Sequence, residues 1–217
     1  IELDSLFKLK SIKESNSQVR ALSYQLYENY GVVKREKVVS LMRKLNQEDR
    51  KSLRDIGVKF GRYHIFLFKL FKPKQVSLRV LLWKNFKQIN LSLKPPTFGL
   101  NFTDNSKFQN KDFMLLCGFE KFDRFFVRID ILERLFIHII KNNLENNQEV
   151  KLVPEMLNLL GCNKENFVKL IKNMNYKPFE KNNETYFKYD PRKINYRQKN
   201  KFNSDNPFNV LNQINFE

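Results

Sequence analysis

Residues 54–83, RDIGVKFGRYHIFLFKLFKPKQVSLRVLLW, carry seven lysines and arginines against one acid, Asp55, within an otherwise apolar run. Cations of this kind grip anions, and phosphate is the commonest anion presented in series. Lys59, Arg62, Lys69, Lys72 and Lys74 are therefore candidate phosphate contacts. A second set stands near the other end of the chain: Lys169, Lys172, Asn173, Lys177, Lys181 and Lys188. Lysine on phosphate fixes position without reading bases. No Arg, the usual partner of a guanine edge, occurs in residues 164–175. Both sets thus point to nucleic-acid grip without strong sequence preference.

Other chemistries lack their residues. Gly57-x-x-x-Gly61 is not a phosphate loop, which needs G-x-x-x-x-G-K-[ST] so that amides, a lysine and a hydroxyl converge on phosphates and magnesium. The histidines, His64 and His138, and the cysteines, Cys117 and Cys162, are too few and too scattered for a structural zinc site. No paired carboxylates, Ser/His/Asp set or metal cluster stands out, so no catalytic residue and no metal ligand is assigned. His138 flanks an apolar helical stripe and reads as a packed or boundary residue.

The formal net charge is +17, which favours polyanion partners, either nucleic acid or an anionic membrane surface. Joint enrichment in Lys, Asn, Ile and Phe is also what an AT-rich coding sequence produces. Length, at 217 residues, suits one medium domain or two small ones, and 41% apolar content with 14% aromatics argues for a folded chain. No uncharged apolar run is long enough to span a membrane, and the N-terminus lacks the pattern of a secretory signal. Two distant cysteines fit reduced thiols and a cytoplasmic location. A first residue of Ile1 leads us to expect a piece of a longer protein.

The elements that must position these cations can be read from periodicity. Residues 17–30 predict a helix capped by Ser17 and stopped at Gly31, with Val19, Leu22, Leu26 and Tyr30 on one face. A second helix is expected over Arg35–Leu45. A third follows from an Asn46 cap to Gly57, with Glu48 and Asp49 in its first turn. Val58–Phe71 reads as an extended or bent segment with apolar residues inward and basic ones outward. Pro73 then opens a helix to about Lys87, its apolar face being Val76, Val80, Leu81 and Leu82. Residues 1–90 thus form a helical domain with a basic joint. The Pro, Gly and Asn content of the next stretch marks residues 91–124 as a linker.

The region 125–191 has a clearer order. A short strand, FFVRI, precedes a helix capped by Asp130 with Ile131, Leu132, Leu135, Phe136, Ile139 and Ile140 as its stripe. Leu152 and Val153 read as a short strand, and a helix runs from Pro154 to Gly161. After an Asn163 cap, Lys164–Asn175 forms a helix, followed by a hairpin that Pro191 stops. Helix, strand, helix, turn, helix, hairpin is the layout of a winged helix-turn-helix. The fold class is therefore mainly α with a small β component: an N-terminal helical array plus a C-terminal winged helix-turn-helix. Residues 192–217 read as a basic, largely disordered tail ending in the apolar Pro207, Phe208, Val210 and Leu211.

The chain resembles the C-terminal region of alpha-proteobacterial superfamily-two (DExH-type) helicases, relatives of the mitochondrial RNA-degradation helicase. Ile56, Gly57, Val58, Lys59, Gly61 and Arg62 fill that family's Leu-Gly-Val-Arg-x-Gly-Arg run; Ile65, Phe66 and Leu67 its short apolar stretch. Phe71, Lys72 and Pro73 fill its Leu-Lys-Pro, and Leu78, Arg79, Leu81, Leu82 and Trp83 its Leu-rich helix with Trp. GVVKREKV upstream and RIDILERL, PEMLNLLGC and NPFNVL downstream follow in family order. Phe68 departs from the family, which has Pro there.

The resemblance implies a monomeric accessory region that binds single strands or tailed duplexes of RNA or DNA. Its partners would be helicase motor domains upstream in the same polypeptide. ATP and magnesium would belong to those domains, and no cofactor is expected in this chain. The rivals from other classes are a stand-alone winged-helix DNA-binding regulator and a protein-interaction module.

Overall fold

The computed structural model describes residues 3–12, 16–88, 93–104, 110–143 and 149–190. Of these, 56% are helical and 21% lie in strands, which form small three-stranded sheets. The protein is thus mainly α with a minor β component. The expected tail, residues 192–217, and the Pro191 stop lie outside the described residues. Among the described residues, no helix is long and apolar enough to cross a membrane.

Four helices open the chain: α1 (Asp4–Lys10), α2 (Ser17–Glu28), α3 (Val39–Lys44) and α4 (Gln47–Ile56). The cap of α2 is Asn16, not Ser17; the Asn16 side chain accepts the Gln18 N–H. Arg35–Val38 is a 3-10 turn, so the second expected helix is only a short α3. Helix α4 starts as expected. Asn46 and Asp49 exchange hydrogen bonds in a capping box, which satisfies two otherwise orphaned N–H groups. Gly57 ends the helix in the left-handed conformation, φ 105°, where any β-carbon is penalised. That is its role, rather than anion binding.

The predicted bent segment is a sheet. Strand β1 (Val32–Lys34) and strand β2 (Val58–Phe60) both pair antiparallel with the central β3 (His64–Leu67). Every residue of β3 is buried because both faces of the sheet are covered. Ile65 and Leu67 pack into the helical core with Leu22, Leu26 and Leu53. Phe66, on the opposite face, packs with Val32 and with Ile129 from the second half of the chain. Each such fully buried aliphatic side chain contributes about 1.5–3 kcal/mol.

A 3-10 turn, Phe68–Phe71, leads into α5 (Pro73–Lys87). Its buried face is Val76, Arg79, Val80 and Trp83, while Leu81 and Leu82 are 55% and 46% exposed. This corrects the expected face and the rule that cations point outward. The Arg79 guanidinium is buried, donating to the carbonyls of Tyr30 and Leu70 beside the Phe71 ring. Burial lowers its pKa to about 10, so it stays charged at neutral pH.

Residues 91–124 are not a simple linker. They contain β4 (Phe102–Asp104), α6 (Lys111–Leu116) and β5 (Phe119–Phe122), and β6 (Phe125–Arg128) pairs with both strands. Pro and Asn mark only the first part of the stretch. Phe113, Met114, Leu116 and Phe119 then join Val76, Val80, Trp83 and Phe126 in one core cluster. This cluster takes residues from before, within and after the stretch.

The last elements are α7 (Ile129–Asn143), β7 (Glu149–Lys151), α8 (Pro154–Leu160), α9 (Lys164–Asn173), β8 (Tyr176–Lys181) and β9 (Glu184–Tyr189). Strand β7 lies just before the expected Leu152-Val153. Asn163 caps α9 through the Asn166 N–H, and Gly161 closes α8, as expected. The sheet order is β7-β9-β8. The β8–β9 turn is Asn182-Asn183, both at positive φ, as a two-residue hairpin turn requires. Pro178 lies on the edge strand β8, where a missing N–H costs no ladder bond.

Helix α7 joins the two halves. Ile131, Leu132, Leu135 and Ile139 face the C-terminal core with Phe167, Leu170, Ile171 and Phe187. The side carrying Asp130, Glu133, Arg134, Ile137 and Ile140 borders the β2–β3 connection instead. His138 is half-buried at the flank.

Candidate nucleic-acid interface

The β2–β3 connection, Gly61 to Tyr63, is held against α7 by a single carboxylate. Glu133 Oε2 accepts the Arg62 N–H, and Oε1 accepts those of Tyr63 at 2.8 Å and His64 at 3.0 Å. Glu133 is 8% exposed. Its charge is thus compensated by three N–H dipoles rather than by a cation, a strong class of hydrogen bond. Gly61 makes the approach possible, since a β-carbon there would collide with the Glu133 carboxyl. The Gly61 carbonyl accepts from Arg35 Nη1 at 2.7 Å.

A second buried carboxylate lies beside it. Glu120, on β5, accepts from Lys34 Nζ at 2.6 Å and contacts His64 Nε2 at 2.8 Å. Burial would raise the Glu120 pKa. The hydrogen bonds and charges of His64 and Lys34 outweigh it and hold the carboxyl below its ordinary value. Burial pushes the neighbouring Tyr63 phenol well above its ordinary value, so it stays neutral.

Glu133 borders a groove of about 570 Å³ between the β2–β3 connection and α7. Four cations border it: Arg35, Lys59, Arg62 and Arg134. Its apolar lining includes Phe60, Phe68, Phe136, Ile137 and Ile140. Phe68, Ile137 and Ile140 are 47%, 52% and 44% exposed, an apolar surface left open to solvent. The Arg62 guanidinium lies over the Phe136 ring at 5.6 Å. Of the two acids at the groove, Asp130 is engaged by Arg128 at 2.6 Å and Glu133 by the three N–H groups. Among the described residues, Lys59 and Arg134 have no carboxylate partner.

The sequence-predicted cations divide into groups. Lys59 and Arg62 meet at the groove; Lys69, Lys72 and Lys74 do not line it. Lys69 lies toward α1, where it adds to the Lys8 hydrogen bond in keeping the Asp4 carboxyl low. All five are exposed. At the C-terminal end, Lys169, Lys172 and Asn173 are exposed on α9, and Lys172 and Lys177 share a shallow pocket with Tyr176 and Pro178. Lys181 is paired with Glu149 at 3.7 Å in an exposed ion pair. Lys188 sits directly opposite Lys177 across the β8–β9 ladder.

Sequence reasoning missed Arg35, Arg134 and the aromatic lining. One signal was available: Glu133 and Asp130 are acids next to the apolar stripe of α7, and acids there need a partner. Its identity came from 70 residues upstream, beyond any local pattern. Neither cysteine is activated. Burial pushes the Cys117 thiol up to about 12 and Cys162 up to about 11, far from a reactive thiolate.

Comparison with known proteins finds no matching family model, no similar curated protein and no similar solved structure. The reading of function therefore rests on the geometry and on the sequence itself.

Proposed function

We propose that this chain is a non-catalytic, nucleic-acid-binding accessory region of an ATP-dependent helicase. The observation that carries the binding is the groove between β2–β3 and α7. Four cations surround aromatic and aliphatic side chains that solvent reaches, and the nearby carboxylates are already engaged. Exposed aromatics with cations beside them are what a single strand requires: phosphates meet the charges and unpaired bases stack on the rings. A blunt duplex hides its base faces and would use only the charges.

The helicase assignment rests on the resemblance of residues 54–83 and its downstream landmarks. The order α7, β7, α8, α9, β8, β9 with sheet order β7-β9-β8 supports reading the C-terminal part as a winged helix-turn-helix, α9 being its third helix. On this reading the protein acts as a monomer in the cytoplasm, and ATP and magnesium belong to motor domains elsewhere in the polypeptide. This chain's own residues grip and orient the strand; no step of nucleotide hydrolysis is assigned to them.

Fluorescence-anisotropy titration with labelled single-stranded RNA, single-stranded DNA and blunt duplex, across a salt series, tests the proposal. Strand binding with steep salt dependence and little sequence preference is expected. Preference for one duplex sequence by a dimer would replace it with the regulator reading. Absence of binding in a folded sample would leave a protein-interaction module.

A further inference from the structure

The exposed face of the C-terminal sheet holds a second set of residues with the same chemistry. Strand register decides which side chains share that face. Tyr176, Thr185 and Phe187 are buried, so their side of the sheet faces the core. The alternate positions, Lys177, Phe179 and Lys181 on β8 and Glu184, Tyr186 and Lys188 on β9, lie on the other side. Glu149 and Lys151 of β7 extend it, opposite Lys188 and Tyr186.

At the centre of this face Phe179 and Tyr186 are direct cross-strand partners, their rings stacked at 5.9 Å and 21°. Both are half-exposed. Next to them Lys177 and Lys188 also oppose each other directly, and among the described residues neither has a carboxylate partner. Like charges directly opposite on a ladder destabilise the sheet, and an anion between them removes that penalty. Lys151 and Lys181 are paired with Glu184 and Glu149 by exposed ion pairs, which are weak and readily exchanged for phosphate.

We propose that this face is a second contact for a single strand, with bases stacking on Phe179 and Tyr186 and phosphates on Lys177 and Lys188. It rests on the reading of the chain as a strand-binding module, and it adds the stacking positions and a substrate class. Duplex is disfavoured at this site because the flat aromatic pair offers nothing to a closed helix beyond its flanking charge.

The test uses the full chain with labelled oligouridine. Ultraviolet cross-linking of the wild-type complex, followed by peptide mapping, is expected to place adducts on Phe179 or Tyr186. Lys177→Gln/Lys188→Gln is expected to lower the salt slope, log K against log salt, by about 1.4. Phe179→Leu/Tyr186→Leu keeps an apolar pair on the sheet and should weaken binding at least 10-fold, with an unchanged circular dichroism spectrum. Adducts confined to the groove, or an unchanged salt slope, would overturn this site while leaving the proposed function standing. No binding of oligouridine by the wild type would overturn both.

Discussion

Glu133 is the residue whose removal tests the architecture most sharply. Glu133→Ala leaves the N–H groups of Arg62, Tyr63 and His64 without their acceptor. Arg62 is exposed and water can replace its partner, whereas Tyr63 is half-buried and His64 is 1% exposed. Two stranded donors at about 1–3 kcal/mol each give a loss of about 2–6 kcal/mol. With a urea m-value of about 2 kcal/mol/M, the middle of the usual range, the unfolding midpoint should fall by roughly 1–3 M. The companion change is Gly61→Ala. The Gly61 backbone is not left-handed, so the nearest obstacle to alanine is the Glu133 carboxyl, and forcing that carboxyl aside costs about 1–3 kcal/mol. In the Glu133→Ala background the obstacle is gone, and Gly61→Ala should be neutral or stabilising by about 0.4–1 kcal/mol through the unfolded chain. The four proteins form a double-mutant cycle read by urea unfolding. Additivity within about 0.5 kcal/mol would refute the claim that this carboxylate fastens the connection to α7.

Other expectations follow from the same geometry. Glu120 has its folded pKa below the ordinary value of 4.5, so its contribution to stability is present above that value and is lost as pH falls through the lowered one. Glu120→Gln should lower stability at neutral pH and flatten the acid limb of a stability–pH profile; an unchanged limb would show that the pair with Lys34 and His64 contributes nothing. Arg79→Lys should cost about 1–3 kcal/mol in chemical denaturation, because one ammonium cannot reproduce the guanidinium fork that reaches both the Tyr30 and Leu70 carbonyls. Cys117 is buried with its thiol pushed up to about 12, so a disulfide reagent at mildly alkaline pH should modify it only after denaturant is added.

Local signals in the sequence located most helices and the C-terminal hairpin. Asn46, Asn163, Pro154 and Gly161 act on their own neighbours, so their cap positions could be read directly. Long-range pairing could not. Strand β1 is three residues long and exists because β3, thirty residues later, pairs with it. The linker reading failed for the same reason: α6 and β5 are short elements stabilised by packing on Trp83 and Phe126. At the candidate site Lys59 and Arg62 were legible as cations in an apolar run. Their setting was not, because Arg35 and Arg134 come from distant elements. Arg79 defeated the outward-cation rule because its amphipathic stem and planar head suit a carbonyl-lined interior.

The groove between the β2–β3 connection and α7 is the proposed seat of a nucleic-acid strand. The most direct measurement is the salt dependence of oligouridine binding by the wild type and by Lys59→Gln/Arg134→Gln. These two exposed side chains support none of the Glu133 or Glu120 contacts. Removing two phosphate contacts should reduce the slope of log K against log salt by about 1.4, a loss of roughly 25-fold near 0.1 M salt. Equal affinity and equal slope for the two proteins would contradict the account.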